Sequence, residues 1–262
     1  MQLDVTAAAL SGISVHLQGI RRVFPGPIVA VDGVDLQVGP GEFVAILGPS
    51  GCGKSTLLRI IAGLDKPDFG AVQVGAARAD QRRIAYVFQD AHLLPWRNVL
   101  HNVALPLELI GSARAEWLAA AENAIELVGL TDAITRYPAQ LSGGMRMRVS
   151  LARALVTKPS LLLSDEPFAA LDEITRQQLD DQLHRLWYDR RMTVVFVTHS
   201  IIEAAFLAER AVVLTRRPAR VVLDHRLDLP ERRSAALRTD AQFAQPMRVL
   251  FEALERGQGR ET

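Results

Sequence analysis

Residues 48–56 read Gly-Pro-Ser-Gly-Cys-Gly-Lys-Ser-Thr, a G-x-x-x-x-G-K-[ST] pattern, and the chemistry this spacing serves is the holding of phosphate. Gly48, Gly51 and Gly53 let the backbone curl tightly, with Pro49, Ser50 and Cys52 between them, so that successive N–H groups point inward at an anion. Lys54 adds a point charge for β- and γ-phosphates and Ser55 a hydroxyl for Mg2+. Beyond Thr56 the run Leu57-Leu-Arg-Ile-Ile-Ala62 continues as a helix whose positive end faces the ligand.

Other residues are placed to serve the same ligand. The apolar run Ser160-Leu-Leu-Leu-Ser ends on two acids, and strand alternation points Asp165 and Glu166 to opposite sides. Asp165 then suits a Mg2+ shell and Glu166 the orienting of a water. Gln89 closes the run 83–88 and can reach Mg2+ or a water, although a glutamine alone says little. His199 closes the run 193–198; a lone strand-end histidine is commonly structural, but beside other strand ends of one sheet it can donate to a γ-phosphate. Ser142, Gly143 and Gly144 stand at the start of a helical pattern, offering either a second phosphate site or only an N-cap. Phe24 precedes a Pro-Gly turn, where its ring can stack on a purine or fill the core.

These residues need a sheet to bring them together. The spacing predicts alternating strands over 13–20 and 31–38, a buried strand over 42–47 ahead of the phosphate loop, and further strands over 71–74, 83–88, 160–165, 193–198, 211–215 and 221–224. Helical patterns cover 114–128, closed by Gly129, then 146–155, 175–189 and 201–208, and a helical tail is expected over 235–255. Residues 92–109 are apolar and aromatic but interrupted by Pro95 and Pro106, which fits a docking surface better than a core helix. Residues 1–12 read as a loose leader.

The 262 residues are 49% hydrophobic, enough for one large domain or a domain with a subdomain. With 30 basic and 29 acidic residues, the charge balance gives no reason to expect a nucleic-acid partner. Basic residues from 216 to 238 are interrupted by acids and read as a solvated surface. The lone Cys52 excludes an internal disulfide framework and suits a reducing cytosol, and the remaining histidines have no metal-site spacing. No apolar run approaches the ~20 residues that cross a bilayer, and the start lacks the pattern of a signal peptide. A membrane role would therefore require docking on other subunits.

In order and together, these elements resemble the ATP-binding subunit of an ABC transporter over nearly the whole chain. Residues 48–56 match Walker A, Gln89 the Q-loop, Leu141-Ser-Gly-Gly-Met145 the signature, Leu161-Leu-Leu-Ser-Asp-Glu166 Walker B with its glutamate, Ala170-Leu-Asp172 the D-loop, and His199 the switch. Residues 92–99, 165–176, 197–204 and the segment Arg217-Pro-Ala-Arg220 resemble the nitrate/sulfonate/taurine importer branch, with Met145 in the signature where Gln is commoner.

The resemblance implies an α/β P-loop NTPase cassette with a RecA-like mixed-sheet core, an antiparallel β subdomain and an inserted helical subdomain. The cassette would span 13–228, its helical subdomain about 90–158, and the tail 229–262. It implies ATP and Mg2+, an ATP-dependent head-to-tail homodimer, two permease subunits, an indirect solute-binding protein, and a peripheral place on the cytoplasmic face of the inner membrane. Phe24 falls at the adenine-stacking position, Glu166, His199 and Gln89 take catalytic roles, Ser55, Gln89 and Asp165 hold the metal, and Asp172 faces the opposite protomer. Cys52 lies in the loop, so a bulky thiol reagent is expected to block ATP and bound ATP to protect the thiol. The segment 89–107 is expected to receive a cytoplasmic helix from each permease subunit, with Trp96 part of that contact unless it is core.

A P-loop kinase would have no use for Ser142-Gly-Gly144 or the His199 strand. A nucleic-acid-directed ABC ATPase would need a coiled-coil insertion or a second cassette. The cargo implied is aliphatic sulfonate, taurine or nitrate; an importer or exporter of different cargo is the alternative.

Overall fold

Three of the apolar runs become the buried centre of a parallel sheet. The computed structural model describes residues 12–75 and 83–259; the leader expected over 1–12 lies outside them apart from Gly12. Strands β3 (Phe43–Leu47), β6 (Leu161–Asp165) and β7 (Thr193–Thr198) are buried along their whole length, as a parallel sheet covered on both faces requires. They belong to a six-stranded sheet of order β5-β6-β7-β3-β8-β9, with β5 (Ile84–Val87), β8 (Arg210–Leu214) and β9 (Val221–Arg226). Only β9 runs antiparallel in it. In register, Leu47 pairs with Thr198, Asp165 with Val197 and Val87 with Ser164, so the carboxyl ends of β3, β5, β6 and β7 share one edge.

Alternate residues of the central strands feed two cores. Val44, Ile46, Leu161, Leu163, Val195 and Val197 face one way, toward helix α1 (Lys54–Ile61) and a three-stranded antiparallel sheet. That sheet has the order β2-β1-β4, formed by β1 (Val15–Phe24), β2 (Ile28–Val38) and β4 (Phe69–Val74). Leu57, Leu58, Ile60 and Ile61 are buried on α1, each contributing about 2 kcal/mol. The alternation expected over 13–20 breaks at Gly19, whose φ of 58° and shifted register form a bulge. The bulge resets the phase, so that Leu17 and Ile20 both point inward.

Phe43, Ala45, Leu47, Leu162, Val194 and Phe196 face the other core. Between β5 and β6 the chain inserts α2 (Val99–Leu109), α3 (Arg114–Leu127) and α4 (Gly143–Leu155). After β6 come α5 (Glu173–Arg190), α6 (Ile201–Leu207) and, at the end, α7 (Ala244–Gly257). Trp187 on α5 is buried, with its indole N–H donated to the Gly41 carbonyl at 2.9 Å.

Three expectations are corrected. Residues 99–109 do form a helix, with Val99, Val103 and Ala104 buried despite Pro106; only the loop before it and the tip at Leu109 and Ile110 stay open. Asn102 stabilises this part: its side chain accepts from Leu94 N–H and donates to the carbonyls of Leu94, Arg97 and Asn98, tying the loop to the helix. The tail is not one helix, because short 3-10 turns at Ala235–Thr239 and Ala241–Phe243 precede α7 and carry Leu237 and Phe243 into the core. Nor is the basic stretch wholly solvated. Arg233 is buried and donates to the carbonyls of Ala205, Phe206 and Ala208 at the end of α6. Arg238 lies over the Phe206 ring and pairs with Asp181 at 2.8 Å.

Candidate nucleotide site

The phosphate loop leaves β3 at Gly48 and enters α1 at Lys54. A side chain is excluded at Gly53, where φ is 127° and a Cβ would lie 2.7 Å from the Ala30 carbonyl. Gly53 therefore caps α1 without a side chain, and the first N–H groups of the helix are left for an anion. Lys54 is 4% exposed, with its ammonium donating to the carbonyls of Gly48 at 2.8 Å and Pro49 at 3.0 Å. Its third near neighbour is Glu166 Oε1 at 3.4 Å.

The two acids at the end of β6 have separate partners. Asp165 accepts from the hydroxyls of Ser55 at 2.9 Å and Tyr86 at 3.2 Å. Burial raises its pKa, opposed by those two hydrogen bonds. Glu166 faces Lys54 and, at 3.0 Å, Nδ1 of His199. Strand alternation is not what separates them. Glu166 has left the strand for a left-handed conformation, φ 46°, held by its N–H bond to the Val197 carbonyl at 2.9 Å.

Above the loop opens a cavity of about 510 Å³. Phe24, Ile28 and Ala30 line one part, Ser50, Gly51, Gly53, Lys54, Ser55 and Thr56 another, and Gln89, Glu166 and Arg217 complete it. The Phe24 ring carries the Arg22 guanidinium 4.8 Å from its centre. Gly48, Pro49 and Cys52 stay out of the lining. The Cys52 side chain turns into the core at 1% exposure, and burial raises the pKa of its thiol. This overturns the expectation that a thiol reagent would act at the nucleotide, because the side chain packs into the core beneath the loop while the cavity is lined without it.

Ser142, Gly143, Gly144 and Asp172 are not brought to the cavity. Ser142 caps α4 by accepting from Met145 N–H at 3.2 Å, and Asp172 caps α5 by accepting from Thr175 N–H at 2.9 Å, which lowers the Asp172 pKa. Both capping residues are exposed.

Ile28 and Ala30 in the lining escaped the sequence reading, as did two polar residues near the site, Tyr86 and Arg217. Tyr86 had a signal, an hydroxyl on the strand beside the one ending in Asp165. Arg217 had only its place in a branch-like segment. The residues fit Mg2+, which takes a hydroxyl and a carboxylate along with substrate oxygens and waters, and Ser55 and Asp165 already converge. Among the described residues no group of three or more His, Cys, Asp or Glu could hold a metal without substrate.

With this geometry, comparison with known proteins is specific. The ABC transporter family model matches residues 31–169, from β2 through the phosphate loop to just past Glu166. The chain is 48% identical over 245 residues to the aliphatic sulfonates import ATP-binding protein of Mycobacterium sp. (strain MCS), covering 94% of this chain and 95% of that one. It is 40% identical over 255 residues to the nitrate import ATP-binding protein of Synechococcus elongatus, covering 93% and 92%. Among solved structures, a dimeric post-hydrolysis state of an ATP-binding cassette bound to ADP and phosphate superposes with a TM-score of 0.74 at 34% identity, over 82% of this chain and all of that one. A match through the phosphate loop and both β6 acids, joined to likeness along almost the full length, leaves one assignment: the chain belongs to the ABC transporter family as an ATP-binding cassette subunit.

Proposed function

We propose that this chain is the ATP-hydrolysing subunit of a bacterial ABC importer for a small anionic or zwitterionic solute, with Glu166 readying the water. The observation that carries the reading is the Glu166 carboxylate, set between Lys54 and His199 at the wall of the loop-lined cavity. If Lys54 takes the β- and γ-phosphates of ATP, the γ-phosphate arrives where Glu166 now meets the ammonium. Glu166 then turns to the attacking water, orienting it or accepting its proton as the bond from the γ-phosphorus to the bridging oxygen breaks. Lys54 and the loop N–H groups stabilise the oxygens that gain charge, and His199 holds the γ-phosphate. Ser55 and Asp165, with Gln89 at the edge, would hold magnesium, which would supply charge neutralisation to the phosphates. Tyr86 keeps Asp165 oriented, and Phe24 takes the adenine.

Ser142, Gly143, Gly144 and Asp172 belong, in this reading, to the site of a second copy. Two chains pair head to tail with two ATP between them, and closure depends on the γ-phosphate because it joins the phosphate loop of one chain to the signature of the other. The dimeric state of the related cassette supports this arrangement. The division into a cassette over 13–228, a helical subdomain over about 90–158 and a tail over 229–262 is part of the same reading. No helix among the described residues is long and apolar enough to cross a membrane. Two permease subunits would therefore supply the path and hold the chain at the cytoplasmic face of the inner membrane, with a solute-binding protein delivering cargo.

The cargo assigned is aliphatic sulfonate, taurine or nitrate, supported by the names of relatives. Disruption of the gene should abolish growth on one of these as sole sulfur or nitrogen source, with sulfate and ammonium controls unaffected. Undiminished uptake of all three labelled solutes in the disrupted strain would overturn the cargo assignment.

A further inference from the structure

The segment 216–220 reads Arg-Arg-Pro-Ala-Arg, three cations within five residues. It connects β8 to β9. Because β8 lies parallel beside β3, with Val213 opposite Leu47, the connection emerges at the edge where the phosphate loop begins. It is anchored on both sides of Arg217. Ala219 donates its N–H to the Ala30 carbonyl at 2.9 Å, and its carbonyl accepts from Asp32 N–H at 3.0 Å. The Thr215 hydroxyl donates to the Pro218 carbonyl at 2.8 Å and accepts from Arg220 N–H at 2.9 Å.

The three arginines on this frame go different ways. Arg220 pairs with Asp32, its Nε 3.1 Å from a carboxylate oxygen. The Arg216 backbone joins the end of α7 through the Gly257 carbonyl at 2.9 Å. Arg217 alone lines the nucleotide cavity, donating Nη2 to the Gly51 carbonyl of the phosphate loop at 2.7 Å. Among the described residues no carboxylate stands within ion-pair distance of it, so an exposed full charge rests on a neutral carbonyl at the rim of a site built for an anion. Gly51 has no side chain to come between, and a Cβ there would lie 3.8 Å from Arg217 Nη2.

We propose that Arg217 is a nucleotide-contacting residue, a second cation that leaves the Gly51 carbonyl for the polyphosphate of bound ATP. This rests on the reading of the cavity as an ATP site. Lys54 sits buried inside the loop and meets the phosphates from within, whereas Arg217 meets them from the open side. Exchanging the neutral carbonyl for a phosphate oxygen turns a hydrogen bond charged on one side into one charged on both, the stronger kind. The flexible side chain supplies the movement, and the anchors at Thr215 and Ala219 keep its base in place.

The test compares the purified full chain with Arg217→Gln, Arg217→Ala and Arg217→Lys, titrated with ATP in chelator to prevent turnover, and with adenosine as an uncharged probe. Gln is the decisive variant, since its amide keeps a polar hydrogen-bond donor on the side chain but carries no charge. Gln and Ala should each weaken ATP about tenfold and leave adenosine unchanged, Lys should recover most of the loss, and raised salt should narrow the gap between native chain and Gln. Thermal melting checks that the fold is kept. Native ATP affinity in Arg217→Gln would overturn the assignment and leave Arg217 as a brace of the loop. Failure of the native chain to bind ATP would instead sink the nucleotide reading and this assignment with it.

Discussion

Glu166 occupies a backbone conformation that costs a non-glycine residue about 1–3 kcal/mol, and its bond to the Val197 carbonyl helps to hold it there. The gain is positional, for the turn out of the strand lets adjacent acids reach Ser55 on one side and Lys54 with His199 on the other. Glu166→Gln keeps shape and backbone but removes the oxygen that can accept a proton. Phosphate release should fall about 10²–10³-fold, while ATP binding by titration stays within about twofold and the ATP-bound dimer becomes stable to gel filtration. Unchanged phosphate release would remove Glu166 from the chemistry. Cys52 tests the opposite kind of residue, one inside the loop by sequence and inside the core by geometry. A bulky thiol reagent should leave it unmodified in the native chain with or without ATP and modify it fully in denaturant. Rapid native labelling that ATP prevents would restore the side chain to the site.

Elements were legible where one local signal decides them. The strands β3, β6 and β7 are largely apolar runs that lead directly into Gly48, Asp165 with Glu166, and His199, so pattern and chemistry pointed to the same edge. The inward turn of Ile20 was not legible, because it depends on a bulge, nor was α2, where tertiary burial of Val103 and Ala104 outweighs a proline. The basic stretch failed for the same reason, since nothing in the local sequence tells Arg233 and Arg238 from solvated neighbours. Their destination is a buried cluster on α5 and α6. There, burial first and then Glu203 push the Asp180 carboxyl up to about 8, against the attraction of Arg238 and Arg176. Asp181 adds to the upward push, and burial drives the neighbouring His184 down to about 3. The signs oppose. An Asp that holds its proton in the folded chain to about pH 8 gives stability that is complete below about pH 4 and is lost as pH rises toward 8; a His kept neutral gives stability that is lost as pH falls below about 6.5 toward 3. Between pH 4 and 6.5 the two offset one another, leaving Asp180 alone in the window from about 6.5 to 8. Across it the native melting temperature should drop by a few degrees, on the order of 1–2 kcal/mol, and in Asp180→Asn the profile should be flatter. Parallel profiles for the two proteins would exclude Asp180 as the source.

At the scale of the molecule, the cavity and an open aromatic are joined by one short stretch of chain. Gln89 lines the cavity, and the chain from it runs through the loop that Asn102 ties down to Trp96, which is 71% exposed. A Trp left in water contributes little to the fold, yet its position on a loop fixed by a buried Asn is well defined. Such a residue is suited to filling a pocket on a partner, where buried aromatics dominate binding. In the proposed importer that partner is a permease subunit, and movement of Gln89 on closure around ATP would reach Trp96 through a short, braced segment. Trp96→Ala should melt within about 2 °C of the native chain, since exposed substitutions away from structural features stay within ~0.5 kcal/mol. Basal ATPase of the isolated chain should also remain within about twofold. Solute uptake in cells should nevertheless fall to the level of the disrupted gene, and co-purification with the permease should weaken. Intact uptake with Trp96→Ala would place the contact elsewhere on the inserted helices, and Leu109 and Ile110, exposed at the tip of α2, would be the next residues to truncate.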